Sequence, residues 1–246
     1  MESAIELTNL SAGYDDIPVL QGISVKIARN KITAILGGSG SGKSTLLKTI
    51  LKLIPSIEGT ITVLGKDINQ QSEHDFNRLL RNIGVLFQNG ALINSLNLYE
   101  NVALPLLQHT DLPEDIVREM VFRQLGRVGL EQNLWKFPSE LSGGMQKRAG
   151  LARAMILNPA LLCCDEPSAG LDPVTSASLD DLLLELQSEF NITIVVVTHE
   201  LASIRRIADD LVFLHDGQCV FYGKTAEAIK SGPRIVQDFF SVNKMT

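Results

Sequence analysis

Apolar positions in the first third of the chain fall in short, alternating runs, the pattern of half-buried strands. Residues 4–36 carry such runs with breaks at 13–16 and 28–30, which predicts a hairpin-rich start with residues 20–27 as its second strand. The run 31–36 leads into a glycine-rich turn, after which residues 46–53 repeat leucines and isoleucines at helical spacing. A turn is expected at 56–59, a strand at 60–64 ending on Gly65, and a buried strand at 82–87. Between about 89 and 157 the period becomes helical, with helix starts at Asn97, at Pro113-Glu114-Asp115 and after Gly144. Strand and helix then alternate: strand 160–164, helix 174–189, strand 192–197, helix 201–208. A hairpin joins 211–214 to 219–222 through Asp216-Gly217, and residues 233–246 read as a short helix and a tail. Alternation of this kind predicts an α/β fold built on a mainly parallel sheet with helices on both faces, interrupted by an all-helical insertion.

The turn after residue 36 has the spacing G-x-x-x-x-G-K-S: Gly37, Gly38, Ser39, Gly40, Ser41, Gly42, Lys43, Ser44 and Thr45. Glycines there adopt backbone angles that a Cβ forbids, so consecutive N–H groups can face one anion. Lys43 supplies a point charge for β- and γ-phosphates, and Ser44 a hydroxyl for Mg²⁺. The following helix points its positive end at the same place. Strand, glycine loop and helix together predict nucleotide binding.

Composition narrows the setting. The 246 residues carry a formal net charge of −6 and are 45% hydrophobic, enough for a substantial core and without the basic balance of a general nucleic-acid binder. The longest apolar runs, such as 192–197, are far short of the roughly 20 residues of a membrane span. The first residues have neither a basic start nor an apolar stretch of the export type. Cys163, Cys164 and Cys219 make neither a disulfide framework nor a metal site, so they read as small buried apolar residues in a reducing compartment, the cytosol.

Two further stretches carry chemistry. The strand 161–164 delivers Asp165 and Glu166 at its C-terminal end, where parallel sheets place ligands. Asp165 is suited to the Mg²⁺ shell, and Glu166 to polarising a water for in-line attack on a γ-phosphate. Ser142, Gly143 and Gly144 offer a hydroxyl and flexible N–H groups just before a helix, a second anion surface. One nucleotide needs one phosphate loop, so the second surface implies two chains sharing nucleotides across an interface.

Taken together these motifs resemble the nucleotide-binding subunits of ABC transporters, over about residues 4–230. The resemblance implies a P-loop NTPase ABC-ATPase core, an N-terminal antiparallel β-subdomain and an inserted helical subdomain. It divides a single domain of 1–246 into core (1–88 and 158–230), helical subdomain (89–157) and C-terminal tail (231–246). It implies ATP and Mg²⁺ as ligands and ATP hydrolysis as the reaction. Tyr14 would stack on adenine and residues 37–45 would bind the phosphates. Gln88 would sense Mg²⁺ and the attacking water, and Ser142, Gly143 and Gly144 would close over the ATP of a second copy. Residues 168–172, ending in Asp172, would follow the dimer seam, and His199 would contact the γ-phosphate. One departure stands out: Met145 occupies a signature position that is glutamine in many relatives, and contacts through Ser142 and the backbone are expected to survive it.

Within the family, residues 87–92, 104–113, 138–145 and 233–240 are similar to the ATPases of Mla/Mce-type phospholipid transporters. That similarity implies a homodimer at the cytoplasmic face of a bacterial inner membrane, held through an integral-membrane permease. Further implied partners are a lipid-binding MCE-domain protein and an optional small accessory subunit, with no nucleic acid. The rival readings are an importer ATPase for another solute such as amino acids, and an ATP-dependent regulator of envelope remodelling. ABC proteins of DNA repair or translation carry long coiled coils or two cassettes in one chain, neither of which this sequence has.

Overall fold

Two long strands open the chain, β1 (Ser3–Tyr14) and β2 (Ile17–Ala28), in a computed structural model that describes residues 2–15 and 17–241. With β4 (Ser56–Val63) and β5 (Lys66–Asp67) they form an antiparallel sheet in the order β2-β1-β4-β5. The turn expected at 56–59 is instead the start of β4. Gly59 explains the difference: its φ is +84°, and it sits where Thr8 pairs with Thr60 but Ser11 pairs with Glu58, so β1 bulges opposite it. A Cβ on Gly59 would lie 2.4 Å from the Asn9 carbonyl oxygen. The glycine marks a close approach of two backbones inside a strand.

The second sheet has the order β10-β9-β3-β8-β7-β6. Its strands β3 (Ile32–Gly37), β6 (Ile83–Leu86), β7 (Leu161–Asp165), β8 (Thr193–Val197) and β9 (Asp210–His215) run parallel. β10 (Gln218–Lys224) returns antiparallel through Asp216 and Gly217, both at positive φ as a tight hairpin demands. β3 and β8 are buried at every position, which is why their sequences are continuous apolar runs rather than alternations.

Each face of this sheet has its own cover. On one, Ile35, Cys163 and Val195 pack with Leu46 and Leu47 of α1 (Lys43–Ile50) and with Ile5 and Ile61 of the antiparallel sheet. On the other, Leu162, Cys164 and Val196 join a core with α3 (Leu98–His109), α4 (Glu114–Arg127), α5 (Gly143–Met155) and α6 (Pro173–Phe190). Cys163 and Cys164 thus face opposite cores, and burial pushes the Cys163 thiol up to about 12 and the Cys164 thiol higher, leaving both un-ionised and inert. A third cluster around Phe213, Val236 and Phe240 seats α7 (Leu201–Ile207), α8 (Thr225–Ser231) and α9 (Arg234–Ser241).

The expected helix starts hold: Asn97 and Glu100 form a reciprocal capping box on α3, and Pro113 precedes α4. Helix α2 (Glu73–Leu80), α8 and β5 have no counterpart among the expected elements. The tail residues 242–246 and Asp16 lie outside the described residues. Among the described residues, no helix is long and apolar enough to cross a membrane.

Candidate active site

β3 ends at Gly37 and α1 begins at Lys43, so the glycine-rich turn wraps the C-terminal rim of the parallel sheet. Lys43 Nζ donates to the carbonyl oxygens of Gly37 and Gly38, both at 2.9 Å. Burial lowers the Lys43 pKa, against the nearby carboxylates of Glu166 and Asp165, which favour its charge. Gly42, at φ +98°, enters α1 where a Cβ would fall 2.5 Å from Leu20 Cδ2. Helix α1 has no side-chain cap and no acid in its first turn, so its leading N–H groups and positive end are available to an anion. Ser39, Gly40 and Ser44 are exposed, Gly38 is half-buried and Thr45 is buried. The Ser41 hydroxyl is buried without a partner among the described residues.

Because β3, β6, β7 and β8 run parallel, their ends bring Asp165, Glu166, His199 and Gln88 to the same rim. Glu166 has φ +48°. Its N–H donates to the Val197 carbonyl at 2.8 Å, and its own carbonyl accepts from Lys147 Nζ at 3.1 Å and from the Ala169 N–H at 3.2 Å. One carboxylate oxygen, Oε1, lies 2.9 Å from His199 Nδ1, while Oε2 is buried with no partner among the described residues. The His199 side chain is 59% exposed against 14% for Glu166: a shielded carboxylate is oriented by a solvent-facing imidazole and keeps one oxygen free to accept a proton.

Asp165 Oδ1 is likewise buried and unpartnered. Burial raises the Asp165 pKa, Glu166 adds to the shift, and Lys48 and Lys43 oppose it. Among the described residues no group of three or more His, Cys, Asp or Glu side chains is arranged to hold a metal ion by itself. The unpartnered Asp165 oxygen at the end of β7 and the exposed Ser44 of the loop are oxygen donors of the kind that suit a hard cation taking its remaining ligands from phosphate and water, which is the habit of Mg²⁺.

Gln88 is exposed two residues past β6. Its loop is held from behind. Asn101, fully buried, accepts from the Ile93 N–H at 2.8 Å and donates to the carbonyls of Ile93, Leu96 and Asn97. Arg153 of α5 donates to the carbonyls of Ala91 and Gly90 at 2.9 and 3.1 Å. A Cβ on Gly150 would lie 2.9 Å from Gly90 Cα, so α5 and the Gln88 loop meet backbone to backbone.

A second patch forms at the other end of α5. The Ser142 hydroxyl caps the helix, accepting from the Met145 N–H at 3.3 Å; Ser142 and Gly143 are exposed, and no acid stands in the first turn. Gly144 sits where a Cβ would meet Thr175 Cγ2 at 2.7 Å, which places α5 against the start of α6. There Asp172 accepts from the N–H groups of Val174 and Thr175, both at 3.0 Å, and from the Thr175 hydroxyl, bonds that lower its pKa. Its carboxylate is committed to capping α6, a position distinct from the loop. Met145 packs against the core of the helical insertion, which accounts for an apolar residue at that position.

Helix α5 packs on α3, α4 and β6, whereas α1 packs on β1 to β4, β7 and β8. The structure therefore gathers residues 37–45, Gln88, Asp165, Glu166 and His199 on one rim, and Ser142, Gly143, Gly144 and Asp172 on a separate patch. Tyr14, half exposed at the end of β1, closes the hairpin whose Val19 and Leu20 press on Gly42. Lys147, Arg153 and Asn101 were not among the expected site residues. Lys147 had a readable signal, since with Leu151 and Met155 it recurs at i, i+4, i+8 on the buried face of α5.

Residues 20–169, more than half of the chain, match the family model described as ABC transporter. The chain belongs to that family. It is an ATP-binding, ATP-hydrolysing subunit of an ABC transporter. It is 37% identical over 237 residues, 96% of this chain and 90% of the relative, to the intermembrane phospholipid transport system ATP-binding protein MlaF of Haemophilus influenzae. The same identity, over 98% of this chain and 67% of the relative, links it to the probable ribonucleotide transport ATP-binding protein mkl of Mycobacterium tuberculosis. The methionine import ATP-binding protein MetN 2 of Pseudomonas entomophila is 38% identical over 91% of this chain and 68% of the relative. Among solved structures, CbiO1 of Clostridium perfringens, part of the transporter complex cbiONQ, superposes with a TM-score of 0.86 at 30% identity, covering 100% of this chain and 98% of that one. A dimeric post-hydrolysis state of the ATP-binding cassette MJ0796 with ADP and Pi gives 0.81 at 31% identity, covering 89% and 98%.

Proposed function

We propose that this subunit powers phospholipid transport between the inner and outer membranes, working as a homodimer on the cytoplasmic face of the inner membrane beneath a permease that engages an MCE-domain protein. The observation that carries the reading is the identity to MlaF across 96% of the chain, which runs through the Gln88 loop and the helical insertion, the surfaces that would face the permease. The exposed apolar side chains Phe87, Ile93, Leu107 and Leu112 lie on those same segments and suit a helix-in-groove contact.

In this reading two ATP molecules are held between head-to-tail copies. The loop N–H groups, Lys43 and the open end of α1 bind the phosphates of one ATP, Tyr14 faces its base, and Ser142 to Gly144 of the second copy close over it, with Asp172 beside the seam. Asp165 and Ser44 would hold Mg²⁺ and Gln88 would sense it, and the cation would supply charge neutralisation at the phosphate oxygens. Glu166 Oε2 takes the proton of the attacking water, and His199 orients the carboxylate through Oε1 while its ring reaches towards the γ-phosphate. Loss of the γ-phosphate removes the contacts that hold the copies together and lets them reopen.

A second reading is an importer ATPase, favoured by the 38% identity to MetN 2. Pull-down of the tagged chain from membranes separates the two. Phospholipid transport predicts a permease with an MCE-domain protein and bound phospholipid, and ATP-dependent lipid transfer in proteoliposomes. An importer predicts a permease with a soluble solute-binding protein and no lipid transfer.

A further inference from the structure

Helix α5 starts at the exposed Ser142 cap and ends behind the Gln88 loop, and one of its charged side chains turns inward. Lys147 is 5% exposed, and among the described residues no other lysine or arginine is buried to this degree. Its ammonium donates to the Glu166 carbonyl at 3.1 Å. An ammonium is costly to bury unless a fixed partner repays the lost hydration, so the position calls for a partner that matters. Burial lowers the Lys147 pKa while the charge of Glu166 raises it, so the ammonium feels the carboxylate as well as the carbonyl. Glu166 itself is held at φ +48°, a region that non-glycine residues occupy when their surroundings over-determine them. Three bonds do so here: Val197 accepts its N–H, and its carbonyl accepts from Ala169 and from Lys147. Of these, the Lys147 bond alone comes from α5.

We propose that Lys147 is a positioning residue for ATP hydrolysis: by gripping the Glu166 carbonyl from α5, it holds the general base in its left-handed pose and makes that pose follow the placement of the Ser142 end of the same helix. The proposal rests on Glu166 being the base. Five residues, about 7.5 Å of helix, separate the cap that would meet the second copy's ATP from the ammonium that fixes this copy's base. Closure on one nucleotide would thereby set the base at the other.

Steady-state hydrolysis by the full chain, in the assembly it co-purifies with, tests this alongside direct ATP binding. Lys147→Met keeps the length and removes the charge and donor. Its kcat should fall roughly 10- to 100-fold, the scale of a misplaced catalytic group, with KM and ATP affinity unchanged, and Lys147→Arg should recover most of the loss. In a Glu166→Gln background Lys147→Met should lower the residual turnover no further, because the two act as a unit. Should Lys147→Met not fold, Lys147→Gln, shorter but still a donor, is read the same way with a smaller fall. Wild-type kcat in Lys147→Met, or a fall that persists undiminished in the Glu166→Gln background, overturns the proposal. Wild-type turnover of Glu166→Gln alone overturns the base assignment instead, so the two failures are told apart.

Discussion

Adding one methyl group at Gly150 probes the contact between α5 and the Gln88 loop. The new Cβ would stand 2.9 Å from both Cα and O of Gly90 and 3.0 Å from Leu86 Cδ1, where carbon atoms normally rest about 3.5–4.0 Å apart. Two of those neighbours are backbone, so α5 must shift by several tenths of an ångström. Overpacking of this kind costs about 1–3 kcal/mol, and replacing a mid-helix glycine by alanine returns up to about 1 kcal/mol. The net loss of up to about 2 kcal/mol lowers the thermal midpoint by up to about 8 °C in a domain of this size. Gly126, exposed near the end of α4 with nothing within 4 Å of its Cβ position, is the control: Gly126→Ala should raise the midpoint, by up to about 4 °C. ATP hydrolysis should fall in Gly150→Ala and not in Gly126→Ala, because only the first displaces the carbonyls that Arg153 holds. Thermal melts and turnover read side by side decide the matter. If Gly150→Ala stabilises the chain as Gly126→Ala does, α5 and the loop are not in backbone contact and the coupling between them fails.

Two other expectations concern the rim. Lys43→Met removes the charged donor of the phosphate loop and should weaken ATP binding roughly 10- to 100-fold, the worth of one hydrogen bond to a charged group, as read by calorimetry on the full chain. Asp165→Asn should raise the nucleotide-free thermal midpoint near neutral pH. Burial raises the folded-state pKa of Asp165, so its ionised form opposes folding above that pKa. The advantage of the neutral amide should fade as the pH falls through the raised folded-state pKa and vanish below about 4, where the aspartate becomes protonated in both states. A melt series across pH checks the sign, and an Asn variant that is less stable than the parent near neutral pH would contradict it.

The sequence announced the rim more fully than the scaffold behind it. Gly37 to Thr45, Asp165-Glu166 and His199 each follow a continuous apolar run, and such runs become adjacent parallel strands whose ends must share an edge, so their convergence could be read from order alone. Alternation of strand and helix after residue 157 predicted β7, α6, β8 and α7 nearly to their ends. Misreadings arose where a local signal serves two masters. Gly59 looks like a turn residue because glycine tolerates positive φ, and here that freedom is used by a bulge within β4. Helix α2 is short and half-exposed, and its signal is a cap, Ser72 accepting from the Asp75 N–H at 3.1 Å, rather than a long apolar period. The clamps on the site were hidden for a different reason. Arg153 bonds to backbone carbonyls of a loop 62 and 63 residues earlier, and no spacing along the chain reports which carbonyls a fold will bring within reach. Asn101 bonds locally, to carbonyls four to eight residues before it, but a buried asparagine has no period that marks it.

The central claim is that catalysis belongs to two copies, each closing its Ser142 surface over the ATP on the other's loop. Native mass of the full chain carrying Glu166→Gln, measured with and without ATP and Mg²⁺, tests it most directly. The mass should double with ATP, and adding Ser142→Arg to that background should keep the chain at single mass while each copy still binds nucleotide. A Glu166→Gln chain that holds ATP at single mass, or one that doubles despite Ser142→Arg, would contradict the shared site.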